Sequence, residues 1–434
     1  MNFLTEQLSD SVKLSTVKTD KFKSGILSFS ISTPYTAKNA IYNMILAGIL
    51  NRGTERYPSL ASISRQLDEL YASSLDVKSG RLGKNYLLHF TADILDDKYV
   101  HDGTDIPLGI VELVSQMLLH PKLENGLFSK AVFEQEKKFL TDNINAAVNN
   151  TRAYASVRLS EMMLSGDEND PTLEEMKQIV ESTENRELVE YLQSTVCGSP
   201  IDIFYVGTLT HNDVSRRILE YFSEWNSTQK CARALPKPEP LCEYCEKTEK
   251  MPVSQGKLAM GFKVGVTISE NSRDHFTAIV LNELFGGSPA SKLFLNVREK
   301  LSLCYYCSSS YNQYLGTLAV SSGIDNKNRA MAERAILAEL EAIKAGNVSE
   351  TELSAAKCSL INNYKQFYDN PYDIMEYLAN RHFFGFSESI EDAINAVEAV
   401  TKEEIIALAG KITCDSVFYV EGCADGEEDT DNEE

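Results

Sequence analysis

Residues 133–166 can be laid over residues 353–386 at a constant offset of 220, without a gap. Lys137 falls on Lys357, Leu140 on Leu360, Asn143 on Asn363 and Asn150 on Asn370. Further on, Val180-Glu181 finds a counterpart in Val397-Glu398, and Ile203-Phe204-Tyr205-Val206 in Val417-Phe418-Tyr419-Val420, at offsets of 217 and 214 that loop deletions explain. Upstream, a strand-like Gly25–Ser32 followed by a helix from about Lys38 parallels Lys257–Val266 followed by a helix from Arg273. A repeat of this length makes the chain two homologous halves, and a fold without internal duplication is excluded. At 434 residues there is ample chain for two large cores.

Between the halves lies a stretch with Pro236, Pro238, Pro240 and Pro252, charged and without apolar period. Closely spaced prolines favour an extended spacer over helix or ladder. The expected layout is an N-terminal domain over 1–227, a linker over 228–252, a C-terminal domain over 253–423 and an acidic, disordered tail over 424–434. Apolar alternation at Ile26, Phe29 and Ile31, and at Leu258, Met260 and Phe262, marks strands. Amphipathic spacing marks helices over Pro107–Leu119, Ser129–Asn149, Arg329–Ala345 and Ser349–Phe367. Leu303–Tyr311 and Thr317–Ser322 are joined by a short loop, which suits a hairpin. Each half is therefore read as α+β, an antiparallel sheet covered by helices.

The net charge is −21, and seven of those charges fall in the last ten residues; the remainder is still strongly acidic. Such a surface disfavours nucleic acid, whose phosphates demand basic patches. No apolar run reaches membrane-spanning length and the opening residues lack an export signal, so the expected location is cytoplasmic, with no membrane partner. The nine cysteines all lie between Cys197 and Cys423 and do not read as a disulfide framework. Two C-x-x-C pairs occur, Cys242/Cys245 and Cys304/Cys307. They are far apart, and alternation along a strand points Cys304 and Cys307 to opposite faces, so unpaired thiols are expected over a zinc or redox site.

The most informative segment runs from Gly286-Gly287-Ser288 through Ser291-Lys292-Leu293-Phe294 to Arg298-Glu299-Lys300 and Tyr305. A glycine turn opens a helix with Leu293, Phe294, Val297 and Leu301 on its apolar face, and a strand begins near Leu303. Arg298 late in the helix and Tyr305 early in the strand converge at one sheet edge. This segment, with the two-half layout, resembles the M16 (insulinase and processing-peptidase) metallopeptidases over about residues 20–423. The resemblance implies LuxS/metallohydrolase-like halves. It also implies that Arg298 and Tyr305 contact the substrate backbone and stabilise the tetrahedral intermediate, work suited to a cation and a phenol donor.

Active members bind zinc through H-x-x-E-H, followed by Gly-Thr, with a Glu ligand further on; the histidines grip the metal and the first Glu is the general base. Aligned on Gly53-Thr54, those positions here are Met44-Ile45-Leu46-Ala47-Gly48. Glu136 stands where the family has an earlier Glu, and Asn143 occupies the third-ligand position. The six histidines, His89, His101, His120, His211, His275 and His382, never pair at i, i+4. No phosphate-cradling loop or G-x-S-x-G elbow is present. The resemblance thus implies a pseudopeptidase without its own cofactor or metal, with zinc only in an active M16-like partner that cleaves extended peptide. A homodimer is expected to be possible in the partner's absence, and the alternative function is a purely structural, peptide-binding scaffold with no role in proteolysis, like the M16-type core subunits of the respiratory bc1 complex.

Overall fold

The computed structural model describes residues 2–165, 169–225, 233–240, 243–269 and 272–423. The chain divides into two compact units. The first gathers residues 1–144, 171–234 and 367–387; the second gathers 145–170, 235–366 and 388–434. The units do not follow the expected boundaries at 227 and 253. Residues 145–170 belong with the second unit, and residues 367–387, their repeat counterparts, belong with the first. Sequence similarity reports ancestry, whereas compactness reports which sheet a helix covers.

In the first unit, strands β1 (Asn2–Ser9), β2 (Val12–Lys18), β3 (Ser24–Pro34), β4 (Ser74–Leu82), β5 (Asn85–Leu95) and β8 (Ile201–Gly207) form a sheet ordered β1-β2-β8-β3-β5-β4. A two-residue hairpin, β6 (Leu123–Glu124) and β7 (Leu127–Phe128), stands apart. In the second unit, β9 (Cys245–Met251), β10 (Gly256–Lys263), β11 (Cys304–Asn312), β12 (Thr317–Ile324) and β13 (Thr413–Gly422) are ordered β11-β12-β10-β13-β9. Both sheets are mainly antiparallel, as expected, and each carries one parallel pair, β2 with β8 and β13 with β9. Strand β9 also corrects the expected linker. Its prolines at 236, 238 and 240 lie outside any ladder, but the following proline-free run pairs along β13 from Cys245 to Met251.

The central strands are buried on both faces, which explains why their alternation is blurred. Leu27, Phe29 and Ile31 of β3 face a core shared with Ile41, Ile45 and Phe90. Ile26 faces the other way, onto Ile374, Met375 and Leu378 of the helix Pro371–Phe383. The second unit repeats the plan with the helix Thr151–Met163, and it sits so close on β10 that a Cβ added at Gly261 would lie 2.4 Å from the Met163 sulfur. Glycine leaves the room that the Met163 side chain occupies.

The repeat is visible in its hydrogen bonds. Asn150 and Asn370 cap these two helices through their side chains, accepting from Ala153 N and Tyr372 N, each at 2.9 Å. Lys137 Nζ donates to Glu181 O at 3.0 Å and Lys357 Nζ to Glu398 O at 2.8 Å. At the far ends of the capped helices, where carbonyls lack partners, cations are supplied. Lys263 Nζ donates to Met163 O at 3.0 Å and pairs with Asp415 at 3.5 Å, both side chains being at most 3% exposed. In the first unit Lys13 donates to His382 O at 3.1 Å and Arg233 to Phe383 O at 2.9 Å, with Asp202 between the two cations.

Removing the cation of a buried pair costs about 3–5 kcal/mol because the remaining charge is stranded. Lys263→Met is expected to lower the unfolding free energy by about 3 kcal/mol at neutral pH, read by urea titration. Burial already raises the Asp415 pKa above its unfolded value, so the fold favours the protonated carboxyl. The deficit should therefore narrow as the pH falls toward the ordinary carboxylate range.

Candidate functional site

The helix Ala37–Leu50 starts at Thr36, whose side chain accepts from Asn39 N at 3.1 Å. It carries Met44, Ala47 and Gly48, and the helix Lys130–Ala146 carries Glu136 and Asn143. The structure brings all five to the wall of one cavity of about 510 Å³, together with Asn51, Arg52, Val77, Ser79 and Phe139. The centre of that wall is an ion pair. Glu136, 6% exposed, accepts from Arg52 Nη2 at 2.6 Å and from Arg52 Nε at 3.0 Å. A Cβ added at Gly48 would lie 2.2 Å from Glu136 Oε2, so the carboxylate occupies the space into which a side chain at residue 48 would project.

Zinc needs imidazole, thiolate or carboxylate donors converging from several directions. Here Met44 offers a thioether, Gly48 nothing, Asn143 an amide, and the only carboxylate is held by Arg52. These residues do not fit zinc, and among the described residues no other group of three His, Cys, Asp or Glu is placed to hold a metal. Arg52 escapes a motif-based reading because it lies outside H-x-x-E-H. Its position one turn after Gly48 and next to Gly53-Thr54 was the available signal. The histidines do not assemble elsewhere among the described residues: His89 is half-buried against Ser30 at 2.9 Å with its pKa pushed down to about 4 by desolvation, and His211 lies between Thr16 and Glu6. On the side of β4 away from Val77, Asp76 and Lys78 line a second, polar groove of about 680 Å³ with Ser28, Ser30, Thr91, Asn370 and Tyr372.

In the second unit the segment 291–305 places Arg298 and Tyr305 side by side. Arg298 is in the last turn of the helix Leu293–Lys300, and Tyr305 is the second residue of edge strand β11. Arg298 Nε donates to Tyr305 O at 2.9 Å, and its guanidinium lies 4.6 Å from the centre of the Phe294 ring. Tyr305 is 53% exposed, and its hydroxyl donates to Asp325 Oδ1 at 3.1 Å. That hydrogen bond and the Asp325 charge raise the phenol pKa. Leu293 and Val297 are buried as expected, but Leu301 is 51% exposed. The helix is wound as a wider π-helix ending at Lys300, which rotates Leu301 off the apolar face.

Tyr305 is also a bulge. In the β11–β12 ladder Cys304 opposes Ile324 and Tyr306 opposes Gly323, leaving Tyr305 unpaired. A bulge re-aims the side chain it carries. It also overturns the expectation that Cys304 and Cys307 face opposite ways. Cys307 opposes Ser322, two ladder positions from Ile324, so the extra residue restores both cysteines to one face. Of the other pair, Cys242 lies outside the described residues. Cys245 is on β9, the opposite edge of the sheet from β11 and about 19 Å away at the usual strand spacing, too far for one metal to join the pairs.

Residues 186–360 match the family described as "Peptidase M16 inactive domain". The chain is 31% identical, over 409 residues, to the "Probable inactive metalloprotease YmfF" of Bacillus subtilis (strain 168), covering 94% of this chain and 95% of that protein. A conserved protein from Enterococcus faecalis V583 superposes with a TM-score of 0.88 and 26% identity, covering 98% of this chain and all of the other. The peptidase M16 inactive domain from Pseudomonas fluorescens superposes with a TM-score of 0.81 and 15% identity over 99% of this chain and all of the other, a likeness of fold. Fold, site and relatives define a non-catalytic homologue of a two-domain metallopeptidase. The chain belongs to the M16 peptidase family, among its inactive members.

With Arg52 removed, Glu136 would be left buried without its cation. Arg52→Ala is expected to cost about 1–2 kcal/mol, trimmed because the guanidinium is 38% exposed. Adding Glu136→Gln should return more than half of that loss. Urea melts of the two single variants and the double variant measure it, and strictly additive losses would refute the pairing.

Proposed function

We propose that this chain is the non-catalytic subunit of a heterodimeric M16-type zinc peptidase. It holds an extended peptide and supplies Arg298 and Tyr305 to the active site of a partner that binds the zinc. The observation that carries this reading is the contrast between the two sites. The cavity at the zinc-motif positions holds the Arg52–Glu136 ion pair, while Arg298 at the end of its helix is half-exposed beside Tyr305, which is exposed on the bulged edge strand β11.

Edge strands β11 and β4 offer unpaired backbone groups for strand addition, which reads a peptide by its main chain. The polar groove beside β4 would accept such a segment. A guanidinium and a phenol then stabilise the negative charge that develops on the attacked carbonyl oxygen. No helix among the described residues is long and apolar enough to cross a membrane, and we place the complex in the cytoplasm.

A second reading, a peptide-binding scaffold with no part in proteolysis, is favoured by the internal engagement of the pair: Arg298 is bonded to the Tyr305 carbonyl and Tyr305 to Asp325. Reconstitution with an M16-like chain bearing H-x-x-E-H separates the two. Turnover of a quenched fluorescent peptide should fall by about 10²-fold in Arg298→Ala, the scale of losing one transition-state donor, with the pair intact on size exclusion. Tyr305→Phe should act in the same direction. Undiminished turnover in both variants supports the scaffold and sinks the catalytic role. Elemental analysis should find zinc only when the partner is present, and stoichiometric zinc in the isolated chain would overturn the assignment.

A further inference from the structure

We propose that Cys304 and Cys307 form a reversible disulfide within strand β11, making the Tyr305 bulge a thiol-oxidation site that sets how Arg298 and Tyr305 are presented. The functional consequence rests on the role given to that pair above; the disulfide itself does not.

The geometry comes from the bulge. Two cysteines three residues apart in a regular strand diverge to opposite faces and cannot be joined. Here they oppose Ile324 and Ser322, which share a face of β12. Two strand positions span about 6.6–6.8 Å, the upper end of the roughly 4.4–6.8 Å between Cα atoms that a disulfide bridges. The thiols are already in hydrogen-bonding contact with each other and with Ser322. Tyr306 points the other way, its ring 4.1 Å from the Arg152 guanidinium, so no side chain intervenes between them.

The two sulfurs are differentiated as an attacking and a resolving thiol should be. Cys304 is half-buried, and the hydrogen bond from Cys307 together with the nearby Arg298 charge lowers its pKa. Cys307 is buried, and donation to Cys304 together with burial raises its pKa. With a low-molecular-weight disulfide as oxidant, the Cys304 thiolate attacks one sulfur and expels the first small thiol. Cys307 then gives up its proton and attacks Cys304 Sγ, expelling the second. Two protein thiols are oxidised to one disulfide, and one small disulfide is reduced to two thiols. Closure draws the two ends of the bulge together, with Tyr305 at its apex and the Arg298 hydrogen bond on its carbonyl.

The test uses the full chain equilibrated in glutathione buffers of increasing oxidised-to-reduced ratio, quenched in acid, alkylated and digested with trypsin. Cleavage after Lys300 and Lys327 releases residues 301–327, whose only cysteines are these two. The expected product under oxidising ratios is that peptide lighter by two hydrogens and free of alkyl groups, reverting with a phosphine reductant. Cys307→Ser should instead trap glutathione on Cys304. A wild-type peptide that stays doubly alkylated, or that carries glutathione without closing, overturns the disulfide. In the reconstituted pair, oxidised protein should turn over peptide at least about tenfold more slowly than reduced protein. Unchanged turnover overturns the coupling to Tyr305. That outcome is distinct from failure of the peptidase-subunit reading, which would leave turnover undiminished when Tyr305 or Arg298 is substituted in reduced protein.

Discussion

The central strands of each sheet are buried on both faces, and the second face is covered there by a helix whose C-terminal carbonyls meet a cation paired with a carboxylate. Lys263 between Met163 O and Asp415 is the more buried instance; Lys13 and Arg233, sharing Asp202 beneath His382 O and Phe383 O, form the other. A helix end delivers partial negative charge and unpaired acceptors, and burying it without a donor is costly. A lone buried lysine would be costlier still. In the second unit the cation donates to the carbonyl and is balanced by the carboxylate charge 3.5 Å away. With the helix fixed, the central strands β3 and β10 can be buried on both faces and Gly261 can receive the Met163 side chain closely.

The same electrostatic logic applies to the cavity between the helices Ala37–Leu50 and Lys130–Ala146. A buried carboxylate without a compensating cation is a liability. In this chain Arg52 provides the compensating charge to Glu136, and Gly48 provides the room. The guanidinium satisfies the carboxylate but offers no open coordination position and no activated water. The central charged feature of the cavity is an ion pair.

At the other site the decisive element is one unpaired residue. The bulge at Tyr305 projects a phenol from the edge of β11, hands its carbonyl to Arg298, and turns Cys304 and Cys307 toward each other. Three properties of the segment thus follow from a single irregularity in the ladder. Substituting any of them in isolation would leave the other two in place, which is why the pair and the thiols can be probed separately.

Duplication, the α+β layout, the main helix and strand positions, the loss of H-x-x-E-H and the Arg298–Tyr305 interval were all legible in the residues. They depend on local periodicity, on spacing and on similarity between two stretches of one chain. The assignment of residues 145–170 and 367–387 to compact units was not legible, because a helix amphipathic on one face does not say which sheet it will cover. Nor were strand β9, whose charged residues lack alternation, or the Arg52–Glu136 pair, whose members lie 84 residues apart. The face of Cys307 was not legible either, because a bulge changes the period without changing the composition. Sequence by itself determined which groups are present and which are missing, since those are properties of residue type. Only tertiary structure decided what each remaining charge and thiol faces, since burial and pairing are set by contacts between distant segments.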